Sequence, residues 1–238
     1  MALILNIETS TQVCSVSASE NGKIIGYREL NDEKSHAKYL TVFIDELLKE
    51  LNLQLDAFHA IAVSKGPGSY TGLRIGVSTA KGLCYAKNLP LISVNTLQSM
   101  AFGLAQKIKS GALNIPDFEQ SILVPMIDAR RMEVYSAFFN SEGKSIREVK
   151  AEIIDENTYQ DILSSQPMIF FGNGSEKLTK TVQHKNAYFL PGFRTSSIDM
   201  AELSERFYEQ RKFEDVAYFE PFYLKDFIAT KPRKNIFK

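Results

Sequence analysis

A chain of 238 residues holds one large domain or two of roughly 100 to 130 residues, either of them long enough to bury a core. Hydrophobic residues are 44% and charged residues 24%, and 28 Lys and Arg offset 28 Asp and Glu, which excludes a disordered chain and a protein held mainly by phosphate backbones, though not a local basic patch. Cys14 and Cys84 fit neither a disulfide framework nor a zinc site, the start carries no secretory signal and no apolar run approaches 18 residues, so the expectation is a soluble protein of a reducing, cytoplasmic compartment.

The first 30 residues predict a three-strand meander, Leu3 to Glu8, Val13 to Ser19 and Ile24 to Leu30, the last two joined through Asn21-Gly22, a strong hairpin signal. An amphipathic helix follows from His36 to Leu51, with Leu40, Phe43, Ile44, Leu47, Leu48 and Leu51 at helical spacing and a second apolar edge at Tyr39 and Val42. Ser35 is its candidate N-cap. A buried strand from Ala57 to Ser64 leads through a glycine-rich loop to a helix from Gly72 to Lys87. A strand from Leu91 to Val94 and a helix from Thr96 to Lys109 complete an α/β unit.

Ser110 to Gln120 has the composition of a linker, and the same grammar then restarts. Strands are predicted at Ile122 to Asp128, Glu133 to Asn140, Ile146 to Ala151 and Met168 to Phe171, with helices at Glu156 to Ser165, Ser175 to Gln183 and Ile198 to Arg211. A duplicated β-β-β-α-β-α plan implies two similar lobes facing a cleft. The division expected is 1–109, 110–213 and an aromatic tail, 214–238, that packs back on the first lobe and ends basic at Lys231, Arg233, Lys234 and Lys238.

Three segments have the residue types for chemistry. Glu8-Thr9-Ser10-Thr11, at a strand end, would hold a phosphate or hydrated magnesium, or is an ordinary hydroxyl-bonded turn. The loop beginning at Gly66 fits neither the G-x-G-x-x-G nor the P-loop fingerprint, but Gly72, Gly76 and Ala80 recur every four residues. Each glycine costs a helix about 0.8 to 1 kcal/mol relative to alanine, which implies a close backbone contact, either with a partner or with the chain's own sheet. Asp128-Ala129-Arg130-Arg131-Met132-Glu133 places two arginines where a phosphate turn would carry glycine; pairing with Asp128 and Glu133 is favoured over an external anion. His36, His59 and His184 stand singly, His36 with a capping or surface role, and no serine lies in a G-x-S-x-G elbow.

The string GPGSYTGLRIGVSTAKGL from Gly66 to Leu83, with ILNIETST from Ile4, SHAKYL from Ser35 and MIDARRMEVY from Met126, resembles the TsaB (YeaZ) family, over about 135 residues and weakly as far as PFYLKDFIA at Pro221 to Ala229. The resemblance implies two duplicated ribonuclease H-like lobes of the actin, Hsp70 and sugar kinase type, the second abbreviated. It implies a paralogue of TsaD, which transfers threonylcarbamoyl to the adenosine beside the anticodon of tRNAs reading codons that begin with A. Where TsaD carries a metal-binding H-x-x-x-H after a strand ending in Val, this chain has Thr96 and Met100 after Val94. A noncatalytic subunit is therefore implied, with no catalytic residue, no metal ligand and no cofactor beyond weak or vestigial nucleotide binding at Glu8, Thr9, Ser10 and Thr11.

The implied partners are TsaD, as a heterodimer, and the ATPase TsaE, with a homodimer when the chain is alone, tRNA reached only through the complex, and no membrane. Pairing through the first two helices would use His36, Tyr39, Leu40, Phe43, Gly72, Arg74, Ile75, Gly76, Thr79, Ala80 and Leu83. On that reading, leucine at Gly76 abolishes pairing and leaves the fold intact. The alternatives are a self-sufficient protease-like hydrolase and an ATP-binding small-molecule kinase of the same fold.

Overall fold

The computed structural model describes residues 2–32 and 36–225. The candidate cap Ser35, Phe227 and the basic end of the tail lie outside them. The meander is formed by β1 (Leu3–Glu8), β2 (Val13–Glu20) and β3 (Lys23–Asn31), and β4 (Ala60–Gly66) and β5 (Leu91–Asn95) extend it in the order β3-β2-β1-β4-β5. The meander pairs are antiparallel, while β1, β4 and β5 run parallel. Asn21 and Gly22 take positive φ in the β2–β3 turn, as two-residue hairpins require.

Two helices, α1 (His36–Glu50) and α2 (Tyr70–Lys87), cover one face. Leu40, Ile44, Leu47, Val77 and Ala80 meet Leu5, Ile7, Val16, Ile61 and Val63 in a dry core. Ser69 caps α2 by accepting from the Gly72 N–H at 3.3 Å, and left-handed Asn88 ends it. The helix thus begins two residues before the expected Gly72.

The plan repeats in β6 (Ile122–Asp128), β7 (Glu133–Phe139), β8 (Ser145–Ile153), β9 (Met168–Phe171) and β10 (Ala187–Leu190). Their order, β8-β7-β6-β9-β10, matches the first sheet strand for strand, with an antiparallel meander and parallel β6, β9 and β10. This is the duplicated ribonuclease H-like fold expected from the sequence. The second lobe is abbreviated: between its meander and β9 the described residues form a single short helix, α4 (Gln160–Leu163). The helix expected at Ser175 to Gln183 is a 3₁₀ turn, Ser175–Lys177, followed by further turns. Leu178 and Val182 are buried there, chain reversals deliver them, and the strand β10 follows.

Two further helices join the lobes. Within α3 (Thr96–Lys109), Leu97, Met100, Ala101 and Leu104 pack on the second sheet, while Phe102 faces the first. In α5 (Ala201–Glu209), Leu203 packs with Ile4, Ala62, Ile92 and Val94 of the first sheet, although the helix follows the second in sequence. The expected helix from Ile198 to Arg211 is thus a 3₁₀ turn, Ser197–Met200, running into this shorter α5. Buried Asp199 clamps α3: its Oδ1 accepts from Lys107 Nζ at 2.8 Å, and a Cβ added to Gly103 would lie 2.3 Å from its carboxyl carbon. Only glycine permits that approach.

Candidate functional site

Glu8, Thr9 and Ser10 lie where β1 ends, and all three are fully buried. Glu8 Oε1 accepts from the Ser10 N–H at 2.6 Å and from Ser64 Oγ at 2.9 Å, while Oε2 has no partner among the described residues. Burial pushes the Glu8 carboxyl above the ordinary carboxylate range, against the lowering effect of its Ser10 and Ser64 bonds. Thr9 Oγ1 donates to the Gly72 carbonyl at 2.8 Å, the Ser69 N–H donates to the Ser10 carbonyl at 2.7 Å, and half-buried Thr11 bonds Thr195 at 2.6 Å. Thr9 and Thr11 spend their hydroxyls inside the protein, while buried Ser10 Oγ, like Glu8 Oε2, has no partner among the described residues.

The glycine stripe has the same explanation. A Cβ on Gly72 would sit 2.1 Å from the Thr9 carbonyl oxygen and one on Gly76 2.2 Å from Thr9 Oγ1. The close backbone contact exists, but it is made to the chain's own hairpin. Gly72, Gly76, Ala80 and Leu40 are buried, which corrects their assignment to a partner surface and the expectation that leucine at Gly76 would spare the fold. His36 is corrected likewise. Only 6% exposed, it donates from Nε2 to the Val13 carbonyl at 3.2 Å, and burial holds its pKa below the usual histidine range.

The outer side of the two helices carries the remaining residues of that set. Tyr39 and Phe43 stack at 5.6 Å, and with Ile75, Thr79 and Leu83 they are half-buried, beside exposed Val42 and Arg74. Residues 214–225 extend this face. Lys81 Nζ donates to the carbonyls of Ala217 (3.2 Å) and Phe219 (2.9 Å), the Phe222 N–H donates to the Lys65 carbonyl at 2.7 Å, and the Tyr223 ring lies 4.9 Å from Tyr70, over which Arg74 stacks. Lys225 then pairs with Glu133 of the second lobe. Residues 214–225 thus run along α2, from Lys81 to Tyr70.

In the second lobe's turn, Asp128 accepts from Lys177 Nζ at 2.8 Å and from the Arg130 N–H at 2.6 Å. Lysines, not the arginines, neutralise Asp128 and Glu133, so the favoured arginine pairing is corrected. Arg130 and Arg131 are exposed and both hold left-handed φ, 70° and 50°, where a glycine would be unstrained. On α3, Thr96 and Met100 are buried one turn apart. A Cβ on Gly172 would lie 2.5 Å from Met100 Cε, so the thioether fills the space beneath that turn, and Thr96 Oγ1 has no partner among the described residues. A hydroxyl and a packed thioether do not suit a hard or borderline metal, so these residues do not fit the metal of the transferase pattern. Cys14 and Cys84 are buried, and burial pushes their thiols up to about 11 and about 12. None of the described helices is long and apolar enough to cross a membrane.

Residues 29–232 match the family model for TsaD, tRNA N6-adenosine threonylcarbamoyltransferase. Curated relatives include the tRNA threonylcarbamoyladenosine biosynthesis protein TsaB of Escherichia coli, 30% identical with 96% of both chains covered, and that of Bacillus subtilis, 27% identical with 71% of this chain and 70% of the relative covered. A tRNA N6-adenosine threonylcarbamoyltransferase of Fervidobacterium nodosum is 27% identical over 65% of this chain but only 49% of its own length. Among solved structures, YeaZ from Pseudomonas aeruginosa superposes with a TM-score of 0.76 at 23% identity, over 94% of this chain and all of that one. The chain belongs to the TsaB (YeaZ) family, within the wider group that the threonylcarbamoyltransferase model describes.

Proposed function

We propose that this protein is a noncatalytic scaffold subunit that dimerises with TsaD and activates its transfer of threonylcarbamoyl to the adenosine next to the anticodon of tRNAs reading codons that begin with A. The observation that carries the reading is Thr96 and Met100: at the spacing of the transferase's two histidines, α3 presents a buried hydroxyl and a packed thioether. The names of the full-length relatives as tRNA threonylcarbamoyladenosine biosynthesis proteins support the pathway.

The docking surface is the outer side of α1 and α2, with Tyr39, Phe43, Arg74, Ile75, Thr79 and Leu83 at its centre. Two such faces form a four-helix contact. The same surface self-associates when TsaD is absent, the complex recruits the ATPase TsaE, and tRNA is engaged through TsaD. Size-exclusion chromatography with light scattering, on this chain alone and mixed with TsaD, tests the pairing. A homodimer that converts to a one-to-one heterodimer is expected; two species that elute independently overturn it.

A further inference from the structure

The side of the molecule opposite α1 and α2 holds a cavity of about 390 Å³ between α3, α5 and the β7–β8 hairpin. Phe102 and Leu203, 5% and 3% exposed, belong to the buried core that forms its floor. Gly143, at φ +75°, closes one end: a Cβ there would sit 3.1 Å from the Phe102 ring. Around this apolar floor stand Lys109, Lys144, Arg206 and Lys212, against the carboxylates of Glu142 in the lining and of Glu202 beside Arg206. In a chain whose total charges cancel, that excess is a local concentration of positive charge.

Three of the cations are held in position. Arg206 lies 4.8 Å over the Phe102 ring and donates to Glu202 at 2.8 Å, and Lys212 lies 5.3 Å over the Phe207 ring. Lys144 is bridged to Glu142 at 2.7 Å. Neither Lys109 nor Lys212 has an acid within ion-pair distance among the described residues. The amide side chains of Gln98 and Gln210 complete the rim.

We propose that this cavity binds a small phosphate monoester with a ring-sized apolar body. The volume falls within the range of small-molecule sites and is too small for a duplex or a helix. The floor takes the apolar body, the amides hydrogen-bond its polar edge, and Lys109 and Lys212 take the phosphate. A monoester carries about two charges above its second pKa of roughly 6, so it suits several dispersed cations better than a monoanion does. The site is distinct from the β1 hairpin and independent of pairing with TsaD.

The test is NMR titration of the ¹⁵N-labelled full chain with adenosine monophosphate, adenosine and inorganic phosphate. Saturable shifts at the Gly143 amide and the Gln98 and Gln210 side-chain amides are expected with adenosine monophosphate. Its affinity should be at least tenfold tighter than that of adenosine or phosphate and should rise between pH 5.5 and 7.5. Combined Lys109→Gln and Lys212→Gln, both at exposed positions, should weaken it at least tenfold with an unchanged melting temperature. No saturable shift at these groups, equal binding of phosphate alone, or affinity unaffected by the two substitutions would overturn the proposal.

Discussion

Replacing Gly76 by alanine separates the two explanations of the glycine stripe. The new Cβ would lie 2.2 Å from Thr9 Oγ1 and 3.4 Å from Thr9 Cβ, so Thr9 must rotate and give up its 2.8 Å bond to the Gly72 carbonyl. Overpacking of a filled interior costs about 1 to 3 kcal/mol. A buried hydrogen bond lost adds about 0.5 to 1.5 kcal/mol. Helix propensity returns about 0.8 to 1 kcal/mol. The net expectation is a loss of about 0.5 to 3.7 kcal/mol, read as a lower midpoint in urea unfolding. Removing the hydroxyl in Thr9→Ala relieves the clash, so the double variant should be about 1 to 2 kcal/mol more stable than the sum of the single losses. If Gly76→Ala stabilises the protein by its helix propensity, or the two changes simply add, the hairpin contact is not what the glycine serves.

Three further outcomes follow from the same geometry. Glu8 titrates above its unfolded value, so between the two values the folded state binds more protons than the unfolded one and stability falls as pH rises through that window, by at most about 1.4 kcal/mol per pH unit for one group. Glu8→Gln should flatten this decline above pH 4.5 in denaturant midpoints, and an unchanged slope would assign it elsewhere. Val42→Glu with Thr79→Arg, both on the outer helix face, should abolish the heterodimer with TsaD while shifting stability by less than about 1 kcal/mol, as surface changes do; retained co-elution would move the interface. Cys14 and Cys84 should react with an aromatic disulfide reagent at pH 8 only as fast as the chain unfolds, and rapid labelling of the native protein would contradict their burial.

The strands and long helices were legible because their apolar spacing is produced by burial in one place. β1, β6 and β9 have the boundaries their patterns predict, and so does α3. The strand expected from Ala57 begins later, at Ala60, because Leu55–Ala57 form a 3₁₀ turn first. β10 escaped notice because Ala187–Leu190 is four half-buried residues at a sheet edge, too short for a period, while Leu178 and Val182 just before it imitate a helix. The spacing of Gly72 and Gly76 revealed a close contact but not its partner, since Thr9 is more than sixty positions away. The link between Lys107 and Asp199 spans 92 positions and leaves no local signal. At Arg130 and Arg131, proximity in sequence suggested pairing with Asp128 and Glu133, yet the left-handed turn leaves both arginines exposed, and lysines from distant segments take their place.

The proposed contrast between transferase and scaffold rests on Thr96 and Met100 of α3. The decisive measurement is threonylcarbamoyl transfer to tRNA by this chain alone, by TsaD alone and by the mixture, each supplied with threonylcarbamoyl adenylate and TsaE. Transfer by the mixture well above that of TsaD alone, with none from this chain alone, is the expected result. Transfer by the lone chain, or a mixture no faster than TsaD by itself, would contradict a noncatalytic, activating subunit.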